Sequence, residues 1–200
     1  EVVALVTDAG TPTVSDPGAT AVAAAVAAGA VVTVVPGPSA VTAALAVAGF
    51  DADRFVFEGF LPRKGPPRSE RLDALAAERR TAVVFLSPHR AGADLADLAE
   101  TLGEGRLVVV ARELTKLHEE VWRGTLGEAA EHWGPGAKGE LTIVVAGVDP
   151  PAADLDAAVR DALAEIEAGV RPSEAVRRAA RAHGVARSVL YDLVLAGRQQ

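Results

Sequence analysis

The chain has no cysteine, no methionine and only three lysines, Lys64, Lys116 and Lys138, among its 20 basic residues. Without cysteine there is neither a disulfide framework nor a thiolate metal site. The four histidines are scattered, so no metal centre is expected. An open reading frame begins with methionine, and a chain that starts Glu1-Val2-Val3 is expected to be a piece of a longer protein. Scarce lysine beside abundant alanine points to GC-rich codons rather than to function. Charge is absent from Pro17 to Phe50. A membrane span needs about 20 strongly apolar residues. Here alanine dominates, and Gly29, Pro36, Gly37 and Pro38 interrupt the run, so no membrane helix is expected. No signal peptide is visible, and the cytoplasm is the expected location.

What is present is a chain of 200 residues, half of them apolar, enough for a sizeable core and incompatible with a disordered chain. The net charge of −7 is unevenly placed. Residues 1–151 hold 13 basic and 20 acidic groups, and residues 152–200 hold seven of each. Within 170–200 six arginines face two carboxylates. A basic tail on an acidic body marks a nucleic-acid contact in some proteins. A solvated helix face carries the same charges.

Val2–Val6 is a short β-branched run that predicts a buried strand. Thr7–Gly18 reads as a loop, with Asp16-Pro17 as helix cap and first helical position. The helix is expected to run to about Ala28 and stop at Gly29. Val31–Val35 predicts a second strand, and Ser39 is placed to cap a helix to Ala48. Strand, loop and helix repeated in this way imply an open α/β sheet. After a boundary at Gly49–Asp53 the pattern restarts. Arg54–Phe60 alternates like a strand, and Leu61–Ser69 is a basic, proline-rich loop. Helices are expected at 70–79, 91–101 and 125–133, and strands at 81–86, 106–111 and 140–147. A second boundary falls at Asp149-Pro150-Pro151. Three helices follow, at 154–168, 173–183 and 187–196. Gly184 lies between the last two, as in a helix-turn-helix. The expected domains are 1–50, 51–149 and 152–200.

In open α/β sheets, ligands bind outside the carboxyl ends of strands. Four loops here follow strands and are rich in glycine, proline or polar groups: Thr7–Gly18, Pro36–Ser39, Ser87–Arg90 and Arg112–Glu120. Gly10 and Pro12 in the first, TDAGTPTVSDPG, shape a turn that brings backbone amides close to a ligand. The loop has no Gly-Lys-Ser/Thr ending and no GxGxxG, so a pyrophosphate site is not expected.

Six segments occur in order: TDAGTPTVSDPG, PGPSA (Pro36–Ala40), FEGFLPRKG (Phe57–Gly65), SPHR (Ser87–Arg90), ARELTK (Ala111–Lys116) and KGELTIVV (Lys138–Val145). This series resembles the bacterial 16S rRNA cytidine 2′-O-methyltransferases of the tetrapyrrole methylase-like superfamily. The resemblance implies an α/β fold of two domains, the first of them incomplete here, plus a C-terminal helical module. It implies S-adenosyl-methionine as cofactor, 16S rRNA in the small ribosomal subunit as partner, and a homodimer as the assembly. By the superfamily pattern Thr11, Val14, Ser39, Ala40, Leu86, Leu141 and Thr142 would line the cofactor pocket. Many relatives carry Glu where this chain has Leu86, which argues against a general catalytic role there. Two rivals remain: a porphyrinoid methyltransferase of the same superfamily, and a non-enzymatic helix-turn-helix protein that binds nucleic acid.

A ribose hydroxyl is a weak acid, so methyl transfer needs the oxygen held in line and its proton removed. Asp8, Asp16, His89, Glu113 and Lys116 are the side chains that suit this task. Glu113, Lys116 and Asp8 are taken as the catalytic set. Asp16 is equally a helix cap, and Glu113 with Lys116 equally a structural ion pair. Arg63, Lys64 and Arg68, beside Phe60, form a basic loop suited to RNA. Arg63, Lys64, His89, Arg90, Arg177, Arg178 and Arg181 are the expected RNA contacts. Phe55 and Phe57 are expected in the core rather than as base-stacking platforms, and Trp122 and Trp133 in the core or an interface.

A cleft between two domains needs both walls, and the family's first strand with its loop has no counterpart in these 200 residues. The chain is therefore expected to bind S-adenosyl-methionine weakly and not to methylate RNA. Each lost contact of about 1.4 kcal/mol lowers affinity tenfold. Calorimetric titration beside a full-length relative checks this, and equal affinity in both would place the whole cofactor site within this chain.

Overall fold

A computed structural model describes residues 1–148 and 154–197. The chain forms two compact units, Glu1–Val148 and Asp149–Gln200. The expected boundary at Asp149-Pro150-Pro151 and the last basic residue, Arg198, lie outside the described residues.

In the first unit, runs of β-branched residues build one mixed sheet. Its strands are β1 (Phe55–Phe60), β2 (Thr81–Leu86), β3 (Leu107–Arg112), β4 (Glu120–Thr125) and β5 (Leu141–Val145), in the order β1-β2-β5-β3-β4. β1 runs parallel to β2, while β5 is antiparallel to both its neighbours, β2 and β3. All five residues of β5 are buried. Such a strand reads as a continuous apolar run because both of its faces are covered.

Alternation along the strands sorts the side chains. Val84, Val110 and Ile143 face a core filled by α3 (Pro66–Ala76), α4 (Ala91–Leu102) and α5 (Leu126–Trp133). Val83, Val109 and Val144 face the other way, against Val41, Ala44, Leu45 and Ala48 of α2 (Ala40–Ala48). Local signals set the helix ends. Thr125 and Glu128 form a capping box on α5. α3 starts earlier than expected, at Pro66, because proline suits the first turn of a helix.

Two expected strands do not form. Val2–Val6 and Val31–Val35 make no backbone hydrogen bonds to a neighbouring strand among the described residues. Val3 is 87% exposed and Val31 is 92% exposed. The helix between them, α1 (Ala19–Ala27), buries no residue. β-Branching favours a strand only where a neighbour supplies ladder bonds and cover. Asp16 does not cap α1 either: the cap position is Gly18, with no side-chain bond. Ser39 does stand at the cap of α2, but its side chain makes no capping bond. β4 was not expected, since Glu120–Thr125 mixes charge and glycine on an edge strand. Phe55 is 39% exposed rather than core, whereas Phe57 packs edge-on to Phe85.

The second unit has α6 (Leu155–Glu167), α7 (Pro172–Ala182) and α8 (Arg187–Gly197), close to the expected ranges. Asp154 caps α6, its carboxylate accepting from the Ala157 amide at 2.8 Å. Ala158, Ala162, Val176 and Ala179 pack with Leu190 and Val194. No helix among the described residues is long and apolar enough to cross a membrane. No cluster of metal-ligating side chains occurs among them.

One ion pair ties the sheet's lower end. The Glu78 carboxylate accepts from the Arg80 amide and Nε, both at 2.8 Å, and the Glu78 carbonyl accepts from the Val148 amide. The Arg80 guanidinium pulls the Glu78 carboxyl from 4.5 down to about 2. A folded-state value below the unfolded one stabilises above pH 4.5, and this contribution disappears as pH falls towards about 2. Glu78→Gln should therefore be less stable at neutral pH and lose less stability across that window. Thermal melts at stepped pH check this; parallel loss in both proteins would show that the pair contributes nothing.

Candidate functional site

The strand directions gather loops from distant sequence at one end of the sheet. The carboxyl ends of β1, β2 and β3 lie there, with the amino ends of β4 and β5. Leu141, at the start of β5, pairs with Leu86 on one side and Arg112 on the other. FLPRKG, SPHR, ARELTK and KGE are thereby brought together. The first loop reaches the same end, where Ser15 Oγ lies 2.8 Å from the position a Cβ on Gly59 would take. Gly59 sits at an irregularity of β1 with φ 63°, so a side chain there would be strained as well as crowded. The first and second loops are joined by Thr11, whose hydroxyl donates to the Pro38 carbonyl at 3.2 Å.

Backbone strain is concentrated in two of these loops. Among the described residues, the non-glycine residues with positive φ are Thr13 and Ser15 in the first, and Glu113 and Thr115 in ARELTK. For β-branched threonine this conformation is a real outlier, and such outliers cluster at functional sites.

Glu113 is held firmly. Its Oε1 accepts from the Glu140 amide at 2.8 Å and from Lys116 Nζ at 3.0 Å. Lys116 also donates to Glu140 Oε2 at 2.9 Å. The Glu113 side chain rests on Gly139, where a Cβ would meet its carboxylate at 2.6 Å. Only glycine, at φ 84°, lets the loops close this tightly. The Glu140 amide and then Lys116 lower the Glu113 carboxyl below its usual range, and Glu140 and Glu113 raise the Lys116 ammonium. A carboxylate held this way is a poor proton acceptor but a good anchor. Asp8 is exposed on the first loop.

Of the expected cofactor residues, Leu86 and Leu141 are buried in the core on the side of α3, α4 and α5, so only their backbone borders the site. Thr142 is buried between Phe85 and Ala111, its partners in the ladder. Thr11 and Ser39 are half-buried, and Val14 and Ala40 are exposed. Of the expected RNA contacts in this unit, Arg63, Lys64 and His89 are exposed. Arg90 is half-buried and engaged with Asp94 and with the Arg63 carbonyl. Arg68 is no part of a free basic surface: it is 8% exposed and bound to Asp94 and Asp97. In the other unit Arg177, Arg178 and Arg181 are exposed on α7, with Arg178 paired to Glu174 and Glu165.

The sequence reading missed Asp94, Glu140 and Gly139. Asp94 left a trace, because it falls on the stripe Ala91, Leu95, Leu98, Leu102 that α4 buries. A carboxylate on an apolar stripe requires a buried partner.

The fold is a mixed α/β sheet with loops gathered at one end, followed by a helical unit. The family described as Tetrapyrrole (Corrin/Porphyrin) Methylases matches residues 1–130. A Mycobacterium tuberculosis (strain CDC 1551 / Oshkosh) protein named Ribosomal RNA small subunit methyltransferase I is 49% identical over 199 residues, covering 99% of this chain and 70% of that protein. One of the same name from Synechocystis is 45% identical over 197 residues, with 96% and 71% covered. The crystal structure of the methyltransferase CobJ superposes with a TM-score of 0.54 at 24% identity, over 70% of this chain and 62% of that one. The chain belongs to the tetrapyrrole methylase family, in the branch that holds the Ribosomal RNA small subunit methyltransferase I proteins.

The site's chemistry suits an adenosyl ligand. Hydroxyls and backbone carbonyls are present, and the close approach of Ser15 to Gly59 brings the first loop to the sheet. If the Glu113 cluster shapes this cleft, Glu113→Gln should leave the melting temperature nearly unchanged, since the amide oxygen still accepts both bonds. Turnover of the full-length enzyme should then change only a few-fold, whereas Glu113→Ala, which removes the acceptor of both bonds, should lower it about tenfold or more. A large stability loss with turnover per folded molecule intact would instead assign the cluster to structure alone.

Proposed function

We propose that this chain is the core of an enzyme that transfers a methyl group from S-adenosyl-methionine to a cytidine 2′-hydroxyl of 16S rRNA. The substrate context in this reading is the small ribosomal subunit, the assembly a homodimer and the location cytoplasmic. Residues 1–50 are the remainder of an N-terminal α/β domain, 51–149 a second one, and 152–200 a helical module that helps hold RNA. The carrying observation is the sheet end itself. Exposed Arg63, Lys64 and His89 share it with the strained first loop and ARELTK, in a chain 49% identical to a protein named for small-subunit rRNA methylation.

When bound, S-adenosyl-methionine supplies an electrophilic methyl group on a sulfonium. Thr11, Val14, Ser39 and Ala40 would border it from the first two loops, and Leu86, Leu141 and Thr142 from the sheet. Glu113 and Lys116 would hold the cleft's far wall in place, and Asp8 is the exposed carboxylate left to take the hydroxyl proton. Holding the acceptor oxygen in line contributes up to about 7–11 kcal/mol in ideal cases. Arg63, Lys64, His89 and Arg90 would border the RNA phosphates on the near side.

Labelled cofactor incubated with small subunits or with precorrin-type substrates tests the reading. With the full-length enzyme, label should enter 16S rRNA and not the porphyrinoid. For the helical module, replacing Arg177, Arg178 and Arg181 by glutamine should flatten the salt dependence of small-subunit binding and leave cofactor affinity unchanged. Each phosphate contact contributes a slope of roughly −0.7 on single strands. An unaffected slope would make the module a folding or dimerisation element.

A further inference from the structure

Two arginines grip consecutive carbonyls of the basic loop after β1, and both are anchored on one carboxylate. Arg68 Nη1 donates to the Pro62 carbonyl at 2.9 Å, and its Nη2 to Asp94 Oδ1 at 2.8 Å. Arg90 Nη1 donates to the Arg63 carbonyl at 3.1 Å, and its Nη2 to the same Asp94 oxygen at 3.1 Å. Asp97 takes the remaining face of Arg68 through Nε at 2.8 Å. Asp94 is 3% exposed and Arg68 is 8% exposed. The Asp94 amide donates to the Arg90 carbonyl at 2.8 Å, which places the carboxylate on the first turn of α4.

We propose that Asp94 is a positioning residue: through Arg68 and Arg90 it fixes the Pro62 and Arg63 carbonyls and presents the Arg63 and Lys64 side chains as a preformed phosphate-binding loop. The proposal rests on the RNA-binding reading above and gives Arg90 a different task within it. Two of Arg90's five donors go to the loop and to Asp94, which fixes its guanidinium in place, and the phosphate contacts are assigned to Arg63 and Lys64. Their side chains are exposed while the backbone beneath them is tied down. A loop ordered before binding does not have to be ordered by the RNA. Leu61, 6% exposed, pins the start of the loop in the core, and Gly65, the cap residue of α3, ends it. Only the residues between them depend on the guanidinium bonds. The arrangement also explains why a carboxylate stands on the apolar stripe of α4. It is buried as a charge with two cationic partners, and a neutral residue there would remove the charge that both guanidiniums share, leaving Arg68 held by Asp97 alone.

The experiment compares wild type, Asp94→Asn, Arg90→Gln and the pair Arg63→Gln/Lys64→Gln. Backbone order parameters from NMR relaxation and binding to purified small ribosomal subunits at several salt concentrations are the readouts. Asp94→Asn is expected to lower the order parameters of the Arg63 and Lys64 amides from about 0.85, the value of a rigid backbone, to below about 0.6, while the β5 amides stay rigid. It should weaken subunit binding about tenfold and leave S-adenosyl-methionine affinity unchanged. Asp94→Glu should restore part of both losses. Arg90→Gln frees only the Arg63 carbonyl and keeps the buried pair, so it remains informative if Asp94→Asn fails to fold. In the Arg63→Gln/Lys64→Gln background, Arg90→Gln should cost little further affinity, because the side chains it orders are gone. Unchanged loop order parameters in Arg90→Gln and Asp94→Asn would overturn the clamp. Lowered order parameters in those variants with full affinity in Arg63→Gln/Lys64→Gln would keep the clamp and overturn the RNA contact that gives it purpose.

Discussion

The site depends on the reversed insertion of β5 between β2 and β3. Two ladders run along this strand, and every one of its residues is buried. The insertion sets Lys138, Gly139 and Glu140 beside the carboxyl ends of strands that lie far away in sequence. Had β5 run parallel to its neighbours, KGE would lie at the opposite end of the sheet, and Glu113 would lose both the Glu140 amide and the Gly139 surface. Burial of Leu141, Ile143 and Val145 on one face and of Thr142 and Val144 on the other holds the strand in register. A one-residue slip would send each of these side chains to the wrong face.

Charge at this end is divided by task. The carboxylates that the sheet brings in, Glu113 and Asp94, are consumed in holding loops: one accepts from a backbone amide and a lysine, the other from two arginines. The cations Arg63 and Lys64 and the imidazole of His89 are left at the surface. A chain of net charge −7 can therefore present a basic rim where its loops meet. Net charge describes solubility and long-range steering, while the local field follows from which charges are paired.

The two valine-rich segments near the start carry the complementary lesson. Val2–Val6 and Val31–Val35 have strand composition but make no ladder among the described residues, and α1 beside them buries nothing. α2 has nearly the same alanine- and valine-rich composition, yet four of its residues are buried because a sheet face lies against them. Composition made the two helices alike, and only one of them has a partner.

Much was legible from the residues alone. The apolar runs at 81–86 and 141–145, the amphipathic stripe of α4 and the three terminal helices each follow from periodicity and caps that operate within a few residues. The order of the six loop motifs placed the chain in its family. Strand direction, and with it which loops meet, was not legible, because pairing is a contact between segments tens of residues apart. For the same reason Arg68 read as a free basic group until α4 supplied Asp94 and Asp97. A side chain's local pattern determines the element it joins. Whether a charge is spent inside the protein or offered to a ligand is decided only when a distant segment arrives beside it.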